Sequence, residues 1–288
     1  WRQGPPRFNA GWQLEVRAPA DAAQLPPLAL LQRLAGNGRL RLHDSMLAGV
    51  PVQGEATLGY EAGGAQPGRL RADLQVGGNQ VLIEGRGDPA GSGAGDRWRA
   101  EVRAGMLTSL APLARLHPAL AEWVPRSGTL QADLGADGRW PRVDTQGSLQ
   151  AADVQVGRLA LQSARATWKI DLAERSAAQA PLTLDALVAD LRLGEQRFGQ
   201  VRAELRGTLA EHRIEVNATL PVAPGAAAER VLAISSQGTT RAHLLALGQW
   251  QPESAGGGRW LARVDELDLL GVLVGRELAA HVLLQLGD

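Results

Sequence analysis

Five histidines, His43, His117, His212, His243 and His281, are the residues of this chain best suited to hold a metal or relay a proton. No two lie within four residues of each other, so no HExxH pair or comparable ligand spacing is present. They read as surface or strand-end histidines. Cysteine is absent, which excludes thiol catalysis, disulfides and Cys-ligated zinc. The single lysine, Lys169, lies in an alternating strand pattern and follows no Gly-rich loop. There is no G-x-S-x-G elbow and no Walker loop. "GRGDPAG" (85–91) has the spacing G-x-G-x-x-x-G, which is not the dinucleotide fingerprint, and it reads as a turn. Asp133, Asp171, Asp185 and Asp190 are scattered as the polar members of alternating strands, so nothing local nominates a catalytic carboxylate pair. The expectation is a protein that is not an enzyme, with no catalytic residue, metal or cofactor.

Composition narrows the class further. The 288 residues carry 30 basic and 30 acidic side chains, without the basic surplus that a nucleic-acid partner wants. The 35 glycines exceed the usual share of about 7%. Aromatics are few, with 8 Trp, 2 Phe and 1 Tyr, so Leu, Val and Ala supply the apolar positions. The tryptophans read as packing residues or as residues at an apolar–polar border. No run of 18 apolar residues exists to form a membrane-spanning helix. The chain begins at Trp1 without a signal pattern and reads as a segment of a longer protein.

The elements that would position any function are strands. "RIEVNATL" (213–220) puts Ile214, Val216, Ala218 and Leu220 on one side and polar residues on the other. The same alternation marks 70–76, 81–85, 98–104, 130–134, 149–156, 159–172, 182–193 and 201–205. Phase changes near Ala152–Asp153, Ser163 and Ala186–Leu187 predict β-bulges or strand breaks. Turns are expected at 77–78, 135–141, 197–200 and 207–212, and mobile loops at 87–96 and 253–259. Two stretches, 21–36 and 106–124, carry Leu at three- and four-residue spacing with interior prolines and predict short helix-loop pieces. Their likeness ("LPPLALL" at 25–31, "LAPLARL" at 110–116) suggests sub-repeats over 25–105 and 106–221, with 222–288 continuing the sheet.

So many one-sided strands need a cover for their apolar sides. A barrel or sandwich normally uses bulkier residues and more even strands. The alternative is a long curved antiparallel sheet folded into an open apolar trough, whose natural occupant is an acyl chain. Each buried methylene contributes roughly 0.8 kcal/mol, so a 16-carbon chain gains on the order of 10 kcal/mol by leaving water.

Residues 127–172, with "SGTLQADLGADGRWP" followed by "GSLQA" and a long strand pair, resemble the translocation and assembly module (TamB) and AsmA-like family. "LRGTLAEHRIEVNATLP" (205–221), "GGNQVLIEGRG" (77–87) and the two-Trp stretch 247–269 are similar to further elements of that family. The Gly-rich stretch 88–96 departs from its pattern. The resemblance implies a β-taco, a long, incomplete, curved sheet with an apolar interior, to which the helix-loop stretches read above would add one or two short helices. It implies a Gram-negative periplasmic protein anchored in the inner membrane by a segment outside this chain. Phospholipid transport toward the outer membrane would be its task. An outer-membrane Omp85-type partner (TamA-like) would be contacted elsewhere in the protein.

Three functions stand as expectations. The first is a lipid-conduit segment that shields phospholipid acyl chains. The candidate groove residues are Ala166, Trp168, Ile170, Leu191, Leu193, Val201, Ala203, Ile214, Val216 and Ala218, chosen by apolarity alone. The second is a scaffold for outer-membrane β-barrel assembly that templates clients by β-augmentation. The third is a β-solenoid acting on polysaccharide, which would want Asn ladders, and the chain holds few Asn.

Overall fold

The computed structural model describes residues 7–21, 35–60, 68–87, 95–139, 142–172, 176, 179–208, 210–221, 239–252, 258–269, 272–278 and 284–285. The chain is all-β, and among the described residues its antiparallel strands do not close into a barrel. It divides into two compact units, residues 1–151 with 155–157, and residues 152–154 with 158–288.

The first unit is a meander of eight strands in sequence order. They are β1 (Arg7–Arg17), β2 (Ala35–Leu47), β3 (Val50–Tyr60), β4 (Gly68–Val76), β5 (Asn79–Gly87), β6 (Asp96–Ala104), β7 (Pro125–Arg139) and β8 (Arg142–Val156). The expected strands at 70–76, 81–85 and 98–104 are β4, β5 and β6. The turn expected at 77–78 joins β4 to β5, with Val76 paired to Asn79. β1 and β3 were not anticipated, because Gly11, Pro51 and Gly54 interrupt their alternation. Ser45 follows a register shift between Leu42 and Ser45 in β2, with Asp44 at φ +45°. The Ser45 hydroxyl is fully buried, and its one proton lies within reach of the carbonyls of Asn9 (3.3 Å) and His43 (3.2 Å). It also accepts from the Asn9 N–H at 3.0 Å, so the side chain bonds backbone beside the irregularity.

Between β6 and β7 the chain forms three short 3-10 turns, Leu107–Leu110, Leu113–Arg115 and Pro118–Trp123. These are the helix-loop pieces expected at 106–124, kept short by Pro112 and Pro118. The counterpart at 21–36 lies, apart from its ends, outside the described residues, as do 88–94, 222–238 and 253–257. Buried Asn79 fastens the 3-10 run to the β4–β5 turn. The two protons of its amide lie within reach of the carbonyls of Val76 and Met106, both at 3.1 Å, and of Ser109 Oγ at 2.9 Å. Its Oδ1 accepts from the Met106 N–H at 3.0 Å.

The second unit holds β9 (Leu159–Ile170), β10 (Pro181–Leu193), β11 (Gln196–Thr208), β12 (Glu211–Pro221), β13 (Thr239–Pro252), β14 (Gly258–Leu269) and β15 (Val272–Leu278), again in sequence order, and a short β16 (Leu284–Gln285) that pairs with β14. The turn expected at 207–212 joins β11 to β12, but that expected at 197–200 is strand. The β10–β11 hairpin closes instead at Gly194–Glu195, between paired Leu193 and Gln196, where Gly194 takes φ +62°. Likewise β7 runs through 135–139, in the stretch expected to turn.

The bulge positions are partly as expected. Asp153 has φ +50°, beside the anticipated change at Ala152–Asp153. At Ala186–Leu187 both ladders run unbroken, so no bulge forms there. Leu187 simply stands on the polar side, opposite Arg165 and Arg202, whose aliphatic stems can cover it. Ser163 is in regular pairing with Ala189, and the irregular residue is its neighbour on the other strand, Asp190, at φ +49°.

Candidate functional site

Paired residues on adjacent strands project from the same side of a sheet, so register converts local alternation into rows. In the first unit Trp12, Leu40, Ala56, Ala72, Ile83, Ala100 and Leu134 form one row across β1 to β7. Beside it runs the row Leu14, Gly38, Leu58, Leu70, Gly85, Trp98 and Ala136. At about 4.8 Å per strand, the seven strands carry this apolar face across roughly 29 Å. Gly85 lies directly opposite Trp98, and the indole occupies the space that a Cβ on residue 85 would need. The face is open to solvent at its β1 end, where Trp12 is 76% exposed and Leu14 60%.

The second unit repeats the arrangement. Trp168, Leu184, Leu205, Ile214, Ala246 and Val264 form one row. Ala166, Ala186, Ala203, Val216, Leu244 and Leu267 form the next. Val201 pairs Ala218 on the same face, and Ile170 opens the outer row. Eight of the ten residues nominated from sequence are thereby brought together: Ala166, Trp168, Ile170, Val201, Ala203, Ile214, Val216 and Ala218. Leu191 and Leu193 are not part of these rows. They lie beyond Asp190, with Leu191 opposite Phe198 and Leu193 53% exposed.

Among the described residues neither face is sealed into a conventional core. Among the described residues the buried apolar side chains are mostly alanines, with Val50 and Val154 the larger members. The bulky residues of the rows remain partly accessible.

One polar pair interrupts the second face. His212, expected at a surface or strand end, stands at the start of β12 but is buried. Its Nε2 accepts a 2.8 Å hydrogen bond from Trp260 Nε1, and Nδ1 lies 3.2 Å from the Thr208 carbonyl. That combination selects the neutral tautomer with hydrogen on Nδ1. His43 and His117 are exposed, and His243 is half-buried between Glu215 (3.5 Å) and Glu266 (3.6 Å). Among the described residues no group of three His, Asp or Glu is disposed to hold a metal ion.

The opposite side of each unit is a lattice of ion pairs. Glu55 accepts from Arg39 at 2.7 and 2.9 Å and from Arg41 at 3.0 Å, which holds its carboxyl below the usual range. In the second unit Asp185 accepts two short contacts from Arg206 and raises the guanidinium's already high pKa. No known protein family, curated protein or solved structure matches this chain.

Sequence reasoning missed a cavity of about 870 Å³ on the polar side of the first unit. Arg39, Arg69, Arg71, Arg86, Arg97 and Arg99 line it, against Glu15 and Glu84. The balanced overall charge conceals this local excess. A signal was present: Arg39/Arg41, Arg69/Arg71 and Arg97/Arg99 each recur at a spacing of two, which puts both members on one face of a strand.

Proposed function

We propose that this chain is a lipid-handling segment whose two apolar faces shield phospholipid acyl chains during transfer between the inner and outer membranes of a Gram-negative bacterium. The observation that carries the reading is the continuity of each face across neighbouring strands, with no layer of large buried side chains upon it among the described residues. A run of accessible apolar side chains marks an interaction surface, and a hydrocarbon tail matches one that lacks specific polar anchors. The resemblance of 127–172 and 205–221 to the TamB and AsmA-like family points the same way and supplies the periplasmic setting, the inner-membrane anchor and the absence of catalysis.

Uptake of a fluorescent phospholipid by purified, delipidated protein tests it. Binding is expected, and Val216→Asp or Ile170→Asp should reduce it at least ten-fold, while Arg213→Asp on the opposite side should leave it intact. Delipidated protein that takes up no phospholipid sinks the reading.

A second reading has one specific observation behind it. β1 pairs only β2 among the described residues, and all of its residues are exposed. Such an edge is a template for a client strand, as assembly of outer-membrane β-barrels with an Omp85-type partner would require. Counting from Asn9, whose N–H points to β2, the N–H groups of Trp12 and Leu14 point outward. Leu14→Pro should then block client pairing and spare phospholipid uptake. Client capture unchanged by that substitution would remove the second reading.

A further inference from the structure

The arginine cavity of the first unit lies on the side away from the apolar rows, so what it binds does not depend on acyl-chain shielding. Its cross-strand pattern is unfavourable for the isolated protein. Arg69 of β4 stands opposite Arg86 of β5, and Arg86 stands opposite Arg97 of β6. Like charges directly opposite each other destabilise a sheet. Two neighbouring strands could have relieved this with a carboxylate, as Glu84 does for Arg71 and Asp137 for Arg97. Arg99 stands opposite Glu84, but that carboxylate is engaged by Arg71, and neither Arg86 nor Arg99 makes a side-chain hydrogen bond or ion pair among the described residues; both are exposed on the cavity wall. They are diagonal neighbours on β5 and β6, a spacing of about 7–8 Å between backbones.

Guanidinium groups so placed match a phosphate. Each offers a planar fork of N–H donors that engages two oxygens at once, and the charge survives at any physiological pH. Two free forks a diagonal apart, with Arg69 and Arg97 on either side, suit a ligand with more than one anionic oxygen cluster. We propose that this cavity binds a phosphate-bearing polyanion, with Arg86 and Arg99 as its principal contacts. The phosphate can belong to a soluble compound or to an anionic lipid headgroup, since the chemistry recognised is the same.

Calorimetric titration of the full chain with inorganic tripolyphosphate, and co-flotation with phosphatidylcholine vesicles with and without phosphatidylglycerol, test this and separate the two sources. Saturable binding to tripolyphosphate, or flotation only with phosphatidylglycerol, is expected. The expected loss in Arg86→Gln/Arg99→Gln is at least ten-fold, with little change in Arg192→Gln/Arg202→Gln, which removes the same charge from the second unit. The Arg86→Gln/Arg99→Gln variant should also unfold at an equal or higher temperature, because a ligand site loses repulsion where a structural pair would lose support. Tripolyphosphate carries no acyl chain, so its binding is read separately from phospholipid uptake. Absence of binding to both probes, or equal weakening in the two double variants, overturns the proposal.

Discussion

Trp260 Nε1 donates a 2.8 Å hydrogen bond to Nε2 of His212, and the two rings lie nearly parallel, with centroids 6.0 Å apart. This contact joins β12 to β14 across the intervening β13, at the edge of the second unit's apolar face. His212→Phe keeps an aromatic ring but removes the acceptor, leaving the indole N–H without its partner. Loss of a hydrogen bond at such a half-buried donor costs about 0.5–1.5 kcal/mol. Urea unfolding should show that loss. In a double-mutant cycle with Trp260→Phe, the two substitutions should cost less together than their sum.

Asn79 is the comparable fastening in the first unit. Asn79→Ala releases the 3-10 run from the β4–β5 turn and strips the Met106 N–H of its acceptor. The expected cost is about 2–3 kcal/mol, from several hydrogen bonds lost at one buried residue. Amide hydrogen exchange across 106–124 should rise sharply, with β9–β14 unchanged. Uniform protection would show that the run is held by other contacts.

Gly85→Val places a branched side chain where the Trp98 indole lies. Overpacking of this kind costs typically about 1–3 kcal/mol. The indole must move off the sheet, so Trp fluorescence should shift to the red and thermal stability should fall. An unchanged spectrum would mean that the ring does not depend on the glycine.

Glu55 should add a modest, salt-screened share to the acid sensitivity of the first unit. Its carboxyl titrates below its ordinary value, first because of the Arg39 hydrogen bonds and then because of Arg41. A depressed acid stabilises the folded state above its unfolded pKa, about 4.3. That contribution disappears as pH falls through the lowered folded value. Between neutral pH and pH 5 the Glu55 contribution should therefore be constant, and below about pH 4 it should decline. Glu55→Gln should flatten the decline. Glu215 follows the same sign, its carboxyl lowered first by the Asn217 side chain and then by Arg213 and His243. An equally steep acid limb in Glu55→Gln would assign the transition to other carboxylates.

Side-chain alternation is a local property, and the sequence alone therefore determined most of the strands and their greasy sides. Ile214, Val216 and Ala218 share a face because successive residues of an extended chain point in opposite directions, whatever the chain pairs with. The 3-10 run at 106–124 was legible for a similar reason, since Pro112 and Pro118 limit helix length through their own backbones. What the sequence left undecided depends on register, which couples residues far apart in the chain. Leu187 looked like a phase change until pairing put it between Arg165 and Arg202. The rows that join Trp168 to Val264, the hydrogen bond from Trp260 to His212 and the gathering of Arg69, Arg86 and Arg97 all follow from which strand lies beside which. A one-residue slip of β5 against β6 would put Arg86 opposite a different neighbour and turn its partner's side chains to the other face. Only the folded sheet makes that choice, because long-range backbone hydrogen bonding, not the residues of any one strand, fixes which charges meet.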